Sequence, residues 1–180
     1  LHKEYRRQRQ MCIRDSLSAA RVDMNPHQVD AALFALKSPV EAGVLLADEV
    51  GLGKTIEAGL VLAQHWAQRR RRLLLIVPAT LRKQWTQELE EKFQLPSVIL
   101  ESKSFNAFRQ LDVSNPFQIE DAIIVTSYEF AASKQKELAA VSWDLVVLDE
   151  AHKLRNLYKG KSASKLSLIH ISEPTRPERI

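Results

Sequence analysis

The segment Gly43–Gly59, which reads GVLLADEVGLGKTIEAG, constrains the fold more than any other part of the chain. An apolar run leads into a glycine-containing loop, and a helix-forming stretch that begins with Lys-Thr follows. Gly51 and Gly53 tolerate positive φ, so the backbone N–H groups of the loop can turn toward phosphate oxygens. The following helix adds the positive end of its dipole. This order of strand, loop and helix predicts a phosphate-binding loop in an α/β protein.

The residues after the loop predict how a nucleotide would be held. Lys54 is expected to reach the β- and γ-phosphates, and the Thr55 hydroxyl to coordinate Mg²⁺. The general loop pattern has glycine six residues before the lysine, whereas this chain has Asp48 there. A glycine loop with an ordinary surface lysine is the alternative interpretation. We favour the nucleotide site because strand, loop and helix follow one another in the required order.

A second motif, WDLVVLDEAH, occupies Trp143–His152. Its apolar run brings Asp149 and Glu150 to the carboxyl end of a buried strand, where α/β sheets bind ligands. Asp149 is predicted to hold Mg²⁺. Glu150 is predicted to orient or deprotonate the attacking water, a role worth ~10²–10⁴-fold in rate. Two acidic residues at a strand end are often merely solvated, but the preceding glycine loop favours a catalytic interpretation.

Elsewhere, apolar runs alternate with helix-like segments, which indicates a parallel α/β sheet. Asn25-Pro26 is a typical helix start. Residues Leu81, Trp85, Leu89 and Phe93 recur every four positions and predict a helix whose apolar face belongs to the core. The other predicted helices are His27–Leu36 and Lys54–Gln68, and the predicted strands are Gly43–Ala47, Leu73–Val77, Ser97–Glu101, Ala122–Thr126 and Asp144–Leu148.

The two ends of the chain are related as DNA rather than as protein. MCIRDS, at Met11–Ser16, can be encoded by ATG TGT ATA AGA GAC AG, and the reverse complement of that DNA translates as Leu166–Ile171, LSLIHI, up to its last codon. The element resembles the inverted end sequence of transposase-based sequencing adapters. We therefore predict that residues 1–16 and 166–180 are translated adapter and that 17–165 form one incomplete domain. Sequencing the source gene tests this, since a continuous reading frame through both ends would contradict it.

Composition changes once those ends are set aside. The first end carries five basic and two acidic residues and the second two of each, so the net charge falls from +4 to about +1. Overall basicity therefore gives no argument for nucleic-acid binding. The only cysteine, Cys12, lies in the first end. No apolar run approaches the ~20 residues needed to span a bilayer, and we expect a soluble intracellular protein without disulfides.

The two motifs together resemble the Swi/Snf-type branch of superfamily-two helicases, which are ATP-driven double-stranded DNA translocases. The sequence LLADEVGLGKTIEAG is most similar to bacterial members, including the RNA-polymerase-associated, RapA-like group. The resemblance implies a three-layer P-loop NTPase fold, the first RecA-like lobe, with a mostly parallel sheet and truncated at its C-terminus. It also implies ATP and Mg²⁺ as cofactors, a second lobe in cis beyond this chain, and a cytoplasmic, nucleoid-associated bacterial protein.

The resemblance also assigns site residues that the pattern alone leaves open. Gln28 matches the glutamine that reads the adenine edge, although a surface helix residue is the alternative. His152 would sense the γ-phosphate. The expected nucleotide-binding set is Gln28, Asp48, Glu49, Gly51, Leu52, Gly53, Lys54 and Thr55. The expected DNA-backbone contacts are Pro78, Ala79 and Thr80 at one strand end and Thr126 and Ser127 at another, with ordinary strand-end capping as the alternative.

Three functions remain open at this point. The first is the ATP-binding lobe of a double-stranded DNA translocase that remodels DNA-bound complexes such as RNA polymerase. The second is a DEAH-type RNA helicase or a restriction-enzyme motor, which would use the same lobe to move on a different nucleic acid or in a different complex. The third is a non-catalytic nucleotide-binding scaffold, which the presence of Lys54, Thr55, Asp149 and Glu150 disfavours. We expect the single lobe to hydrolyse ATP poorly or not at all.

Overall fold

The structure is a computed structural model that describes residues 25–37 and 53–151. Its described residues fall into two compact units: 25–37, 53–70 and 88–95 form the first, and 71–87 and 96–151 form the second. The predicted strand Gly43–Ala47 lies outside the described residues. Both predicted adapter segments also lie outside them, so the predicted boundaries at 16 and 166 stay predictions.

The first unit is helical in its described part. Helix α1 spans Pro26–Lys37 and helix α2 spans Lys54–Ala67. Proline is the first residue of α1 after Asn25, as the sequence predicts, because its fixed φ and missing N–H suit that position. Helix α2 is buried around much of its circumference, since Leu60 and Leu62 point to nearly opposite sides of the helix and both are at most 1% exposed.

The second unit is built on a four-stranded sheet in which every pairing is parallel. The strands are β1 Leu73–Val77, β2 Ser97–Leu100, β3 Ile123–Ser127 and β4 Leu145–Leu148, in the order β2-β3-β1-β4. All four strands predicted in this part of the chain are confirmed, with ends shifted by about one residue. Strand β1 is central and buried along its whole length, which is why LLLIV is continuously apolar.

Helices connect these strands. Helix α3 spans Arg82–Phe93 and carries the predicted apolar stripe, in which Trp85, Leu89 and Phe93 are buried. Four further elements were not predicted: α4 Ser102–Gln110, a 3₁₀ turn Pro116–Gln118, α5 Tyr128–Ser133 and α6 Gln135–Ala139. They enclose an aromatic cluster in which the ring of Phe105 lies 5.7 Å from those of Phe117 and Phe130.

Parallel pairing brings the carboxyl ends of the strands to one edge of the sheet. Ile76 pairs with both Thr126 and Leu148, and Leu100 also pairs with Thr126. The predicted residues after β1, at the end of β3 and after β4 therefore share this edge of the second unit. Among the helices in 25–37 and 53–151, none combines the length and the apolar character that a bilayer crossing requires.

Candidate functional site

In the first unit, Gly53 forms the turn that starts helix α2. Its φ of 91° and ψ of 35° lie in the left-handed region, which glycine adopts without steric cost. Its carbonyl accepts from the amides of Ile56 at 2.7 Å and Glu57 at 3.2 Å, so the first helical turn closes on this residue. Lys54 and Thr55 are consequently the first residues of a 14-residue helix, where the N-terminal amides and dipole favour an anion.

Gln28 lies beside this turn. It is 4% exposed, and its Oε1 accepts a 3.2 Å hydrogen bond from the amide of Asn25. A Cβ atom built on Gly53 would overlap Gln28 Nε2, so the two residues are in direct contact. The structure therefore places the residue predicted to read adenine against the last glycine of the predicted phosphate loop.

In the second unit, Asp149 and Glu150 follow directly after β4. The amide of Asp149 donates to the Ile76 carbonyl at 3.0 Å, which extends the pairing with β1 by one residue. Glu150 then turns the chain with a φ of 55°, a left-handed conformation that is uncommon for a residue with a side chain. Its amide donates to Asp149 Oδ1 at 2.8 Å. The predicted pair thus lies at the carboxyl edge of the sheet.

Two buried aromatic residues contact Asp149. Trp85 Nε1 donates to Asp149 Oδ2 at 2.8 Å, and the Tyr128 hydroxyl donates to the Asp149 carbonyl oxygen at 2.6 Å. Burial, together with the negative charges of Asp149 and Glu150, raises the pKa of Tyr128 to about 12. The Tyr128 phenol therefore stays protonated and remains a donor at neutral pH.

Neither aromatic residue was predicted as part of the site. The interpretation of Trp85 as a core residue is confirmed, since its side chain is 4% exposed. A buried indole N–H also requires a hydrogen-bond acceptor, and this requirement could have indicated that Trp85 has a polar partner. A buried Tyr128 O–H also requires a partner, but its acceptor is a backbone carbonyl, which no residue type in the sequence marks.

The donor chemistry at Asp149 fits Mg²⁺. Each carboxylate oxygen accepts one hydrogen bond, and a carboxylate oxygen has room for a further contact. Within residues 25–37 and 53–151 there is no cluster of three or more histidine, cysteine or acidic residues able to enclose a metal. The Asp149 carboxylate by itself suits Mg²⁺, which is usually bound through one or two carboxylates, waters and substrate phosphates. Thr55, the other predicted metal ligand, belongs to the first unit.

The residues predicted to contact DNA differ in exposure. After β1, Pro78 is buried, whereas Ala79 and Thr80 are exposed in the turn before α3. At the end of β3, Thr126 Oγ1 donates to the Leu100 carbonyl at 2.9 Å, and Ser127 Oγ accepts from the amide of Phe130 at 3.2 Å. Both of these β3 side chains are at most 5% exposed, and their hydroxyl groups form hydrogen bonds within the protein.

Five predicted site residues lie outside the described part of the chain. They are Asp48, Glu49, Gly51, Leu52 and His152.

Comparison with known proteins identifies the family of this chain. A family model described as the SNF2-related domain matches residues 24–176. The chain belongs to this family. It is 40% identical over 142 residues to the RNA polymerase-associated protein RapA of Serratia proteamaculans, covering 77% of this chain and 14% of that protein. It is 39% identical over 155 residues to RapA of Erwinia tasmaniensis, covering 84% of this chain and 16% of that protein.

The fold has a counterpart among solved structures. The SWI2/SNF2 ATPase core of Sulfolobus solfataricus, solved in complex with double-stranded DNA, matches with a TM-score of 0.64 and 24% identity, covering 77% of this chain and 28% of that one. This match confirms the predicted α/β RecA-like lobe with its parallel sheet. The chain spans about one seventh of the length of the RapA relatives.

Proposed function

We propose that this chain is the ATP-binding lobe of an ATP-dependent translocase that moves on double-stranded DNA. The observation that carries the proposal is the contact between Gln28 and Gly53. Because the contact joins the predicted adenine reader to the start of α2, one nucleotide would have its base and its phosphates recognised by adjoining residues. Membership in the SNF2-related domain family supports the same function.

Different residues would bind different parts of the nucleotide's phosphate chain. The N-terminal amides of α2 and the Lys54 ammonium would neutralise the β- and γ-phosphates. The left-handed turn at Gly53 would bring the backbone close to those phosphates. Gly51, with Asp48, Glu49 and Leu52, would complete the loop.

The acidic residues would serve the hydrolytic step. Thr55 and Asp149 would hold Mg²⁺, which supplies positive charge to the phosphate oxygens when it is bound. Glu150 would orient or deprotonate the water that attacks the γ-phosphate in line. Its position two residues past the end of β4 suits this role, because ligands in α/β sheets bind beyond the carboxyl ends of strands. His152 would respond to the γ-phosphate.

The proposed nucleic-acid substrate, along which the translocase moves, is duplex DNA. The Sulfolobus ATPase core is described in complex with double-stranded DNA, and the RapA relatives are described as RNA polymerase-associated. Exposed Ala79 and Thr80, together with Pro78, precede α3 and would contact the DNA backbone. Thr126 and Ser127 would contribute through their main chain. In the complete protein, a second RecA-like lobe in cis would complete the ATP site, and the expected partner is RNA polymerase or another DNA-bound complex in the bacterial cytoplasm.

The test compares two lysine variants of the complete protein. Lys54→Ala removes the predicted phosphate-binding ammonium, and Lys103→Ala removes an exposed lysine on α4 as a matched control. We expect Lys54→Ala to lower DNA-stimulated ATP turnover by ~10²–10³-fold, the usual range for loss of one charge-stabilising group. Lys103→Ala should retain the wild-type rate.

The same assay separates the alternatives. Equal turnover in Lys54→Ala and the wild type would contradict the loop assignment. Stimulation by RNA rather than by duplex DNA would favour an RNA helicase. MgATP binding without turnover by the wild type would favour a non-catalytic nucleotide-binding scaffold.

A further inference from the structure

The main chain and carboxylate of Asp149 are held by four hydrogen bonds within the second unit. Trp85 Nε1 and the Glu150 amide donate to different carboxylate oxygens, each at 2.8 Å. The Tyr128 hydroxyl donates to the Asp149 carbonyl at 2.6 Å, and the Asp149 amide donates to Ile76 at 3.0 Å. Both the peptide unit and the side-chain rotamer of Asp149 are thereby fixed.

The Trp85 hydrogen bond differs from the other three in what it constrains. The Glu150 amide is adjacent in sequence, and the Tyr128 and Ile76 contacts involve the main chain. Trp85 alone among these reaches the carboxylate from another element, across 64 positions of sequence. The Trp85 side chain is 4% exposed, and this bond uses the only donor of its indole. Because the acceptor is a carboxylate, the bond is charge-assisted.

We propose that Trp85 is a positioning residue for the metal-binding carboxylate of Asp149, with the Tyr128 hydroxyl anchoring the same residue through its main chain. The inference rests on the proposed function, in which Asp149 holds Mg²⁺. Outer partners of metal-ligating carboxylates orient the ligand before the metal arrives, and their loss typically weakens metal binding 10–100-fold. The Trp85 N–H uses one lone pair of Asp149 Oδ2, so the second lone pair is available to a metal or to its water.

The chain contains a matched control for the loss of an indole N–H. Trp143 is half-buried, and its Nε1 donates to the Leu138 carbonyl at 3.1 Å, so it also uses its only donor inside the second unit. Its bond does not involve Asp149. Trp143→Phe therefore reproduces the chemical change of Trp85→Phe, including the loss of one internal hydrogen bond, at another place.

The experiment measures Mn²⁺ binding by electron paramagnetic resonance in the complete protein with saturating ADP. Because Trp85→Phe also removes core volume, a second variant replaces Trp85 with 3-benzothienylalanine, which keeps the shape of tryptophan and lacks the N–H. We expect both variants to raise the Mn²⁺ dissociation constant by about 10-fold or more. Trp143→Phe should leave it unchanged, and Tyr128→Phe should raise it less than Trp85→Phe.

The outcomes are distinct. Wild-type affinity for Mn²⁺ in the benzothienylalanine variant would overturn the positioning role while leaving the proposed function intact. An equal loss of affinity in Trp143→Phe would also overturn it, because general destabilisation would then account for the effect. If the wild type binds no Mn²⁺ with ADP, the proposed function fails and this inference fails with it.

Discussion

The Gln28 amide occupies the space beside Gly53 into which a Cβ atom would extend. Gly53 also has a φ of 91°, so two effects oppose any other residue there. An L-residue pays roughly 1–2 kcal/mol for the left-handed backbone, and the overlap displaces Gln28 in addition. We expect Gly53→Ala to lower the free energy of unfolding by at least that amount and to weaken ATP binding. Urea denaturation and nucleotide titration measure the two effects.

A double-mutant cycle separates backbone strain from the contact with Gln28. In the Gln28→Ala background the overlap is gone and only the strain remains, so Gly53→Ala should cost less there. We expect a coupling energy of at least ~0.5 kcal/mol between the two positions. Additive effects would show that the Gln28 side chain does not lie against Gly53.

The affinity for ATP tests Gln28 as the adenine reader. Gln28→Glu keeps an oxygen acceptor for the Asn25 amide, and glutamate at this third helical position is favoured near a helix N-terminus. The substitution removes the Nε2 donor, whereas the adenine edge offers both an acceptor and a donor. Adenine N7, the acceptor for that donor, is shared by guanine, so the loss affects affinity rather than base preference. We expect the affinity for ATP to fall by about 10-fold or more, the effect of losing one buried hydrogen bond. Nucleotide titration measures it, and an unchanged affinity would exclude Gln28 from base recognition.

Local patterns made the sheet predictable and left the contacts within the site unpredicted. LLLIV is continuously apolar because β1 is central, and the stripe through Trp85 shows helical spacing over three turns. Helices α5 and α6 have only 6 and 5 residues, too few for a period to emerge. The Trp85–Asp149 and Gln28–Gly53 contacts depend on tertiary packing between segments far apart in sequence, which no local spacing encodes.

Substitutions at the end of β3 test whether the side chains of Thr126 and Ser127 are structural or contact DNA. Thr126→Val removes the buried hydroxyl that donates to Leu100, and Ser127→Ala removes the cap that accepts from Phe130. Each should lower the free energy of unfolding by ~1 kcal/mol. Because both side chains are turned to internal acceptors and donors, duplex affinity in the complete protein should be unchanged. A selective loss of DNA affinity without a loss of stability would favour the contact role instead.

The raised pKa of Tyr128 predicts how stability changes at high pH. Its pKa is about 12 in the folded chain against an ordinary value of 10.0, because burial and the charges of Asp149 and Glu150 disfavour the phenolate. Between pH 10 and 12 the unfolded chain releases this proton while the folded chain retains it, so the free energy of unfolding falls as pH rises. Tyr128→Phe lacks this component. The stability advantage of the wild type over Tyr128→Phe should therefore shrink across that interval.

Absorbance at 295 nm provides a direct measurement of the same group. The chain has three tyrosines, and subtracting the alkaline titration of Tyr128→Phe from that of the wild type isolates the Tyr128 phenol. We expect the difference curve to have its midpoint well above pH 10, at or beyond the onset of alkaline unfolding. A midpoint near pH 10 would mean that the hydroxyl is solvated, and it would contradict the 2.6 Å hydrogen bond to the Asp149 carbonyl. Since that bond anchors Asp149, such a result would also remove one of the contacts that fix the proposed metal ligand.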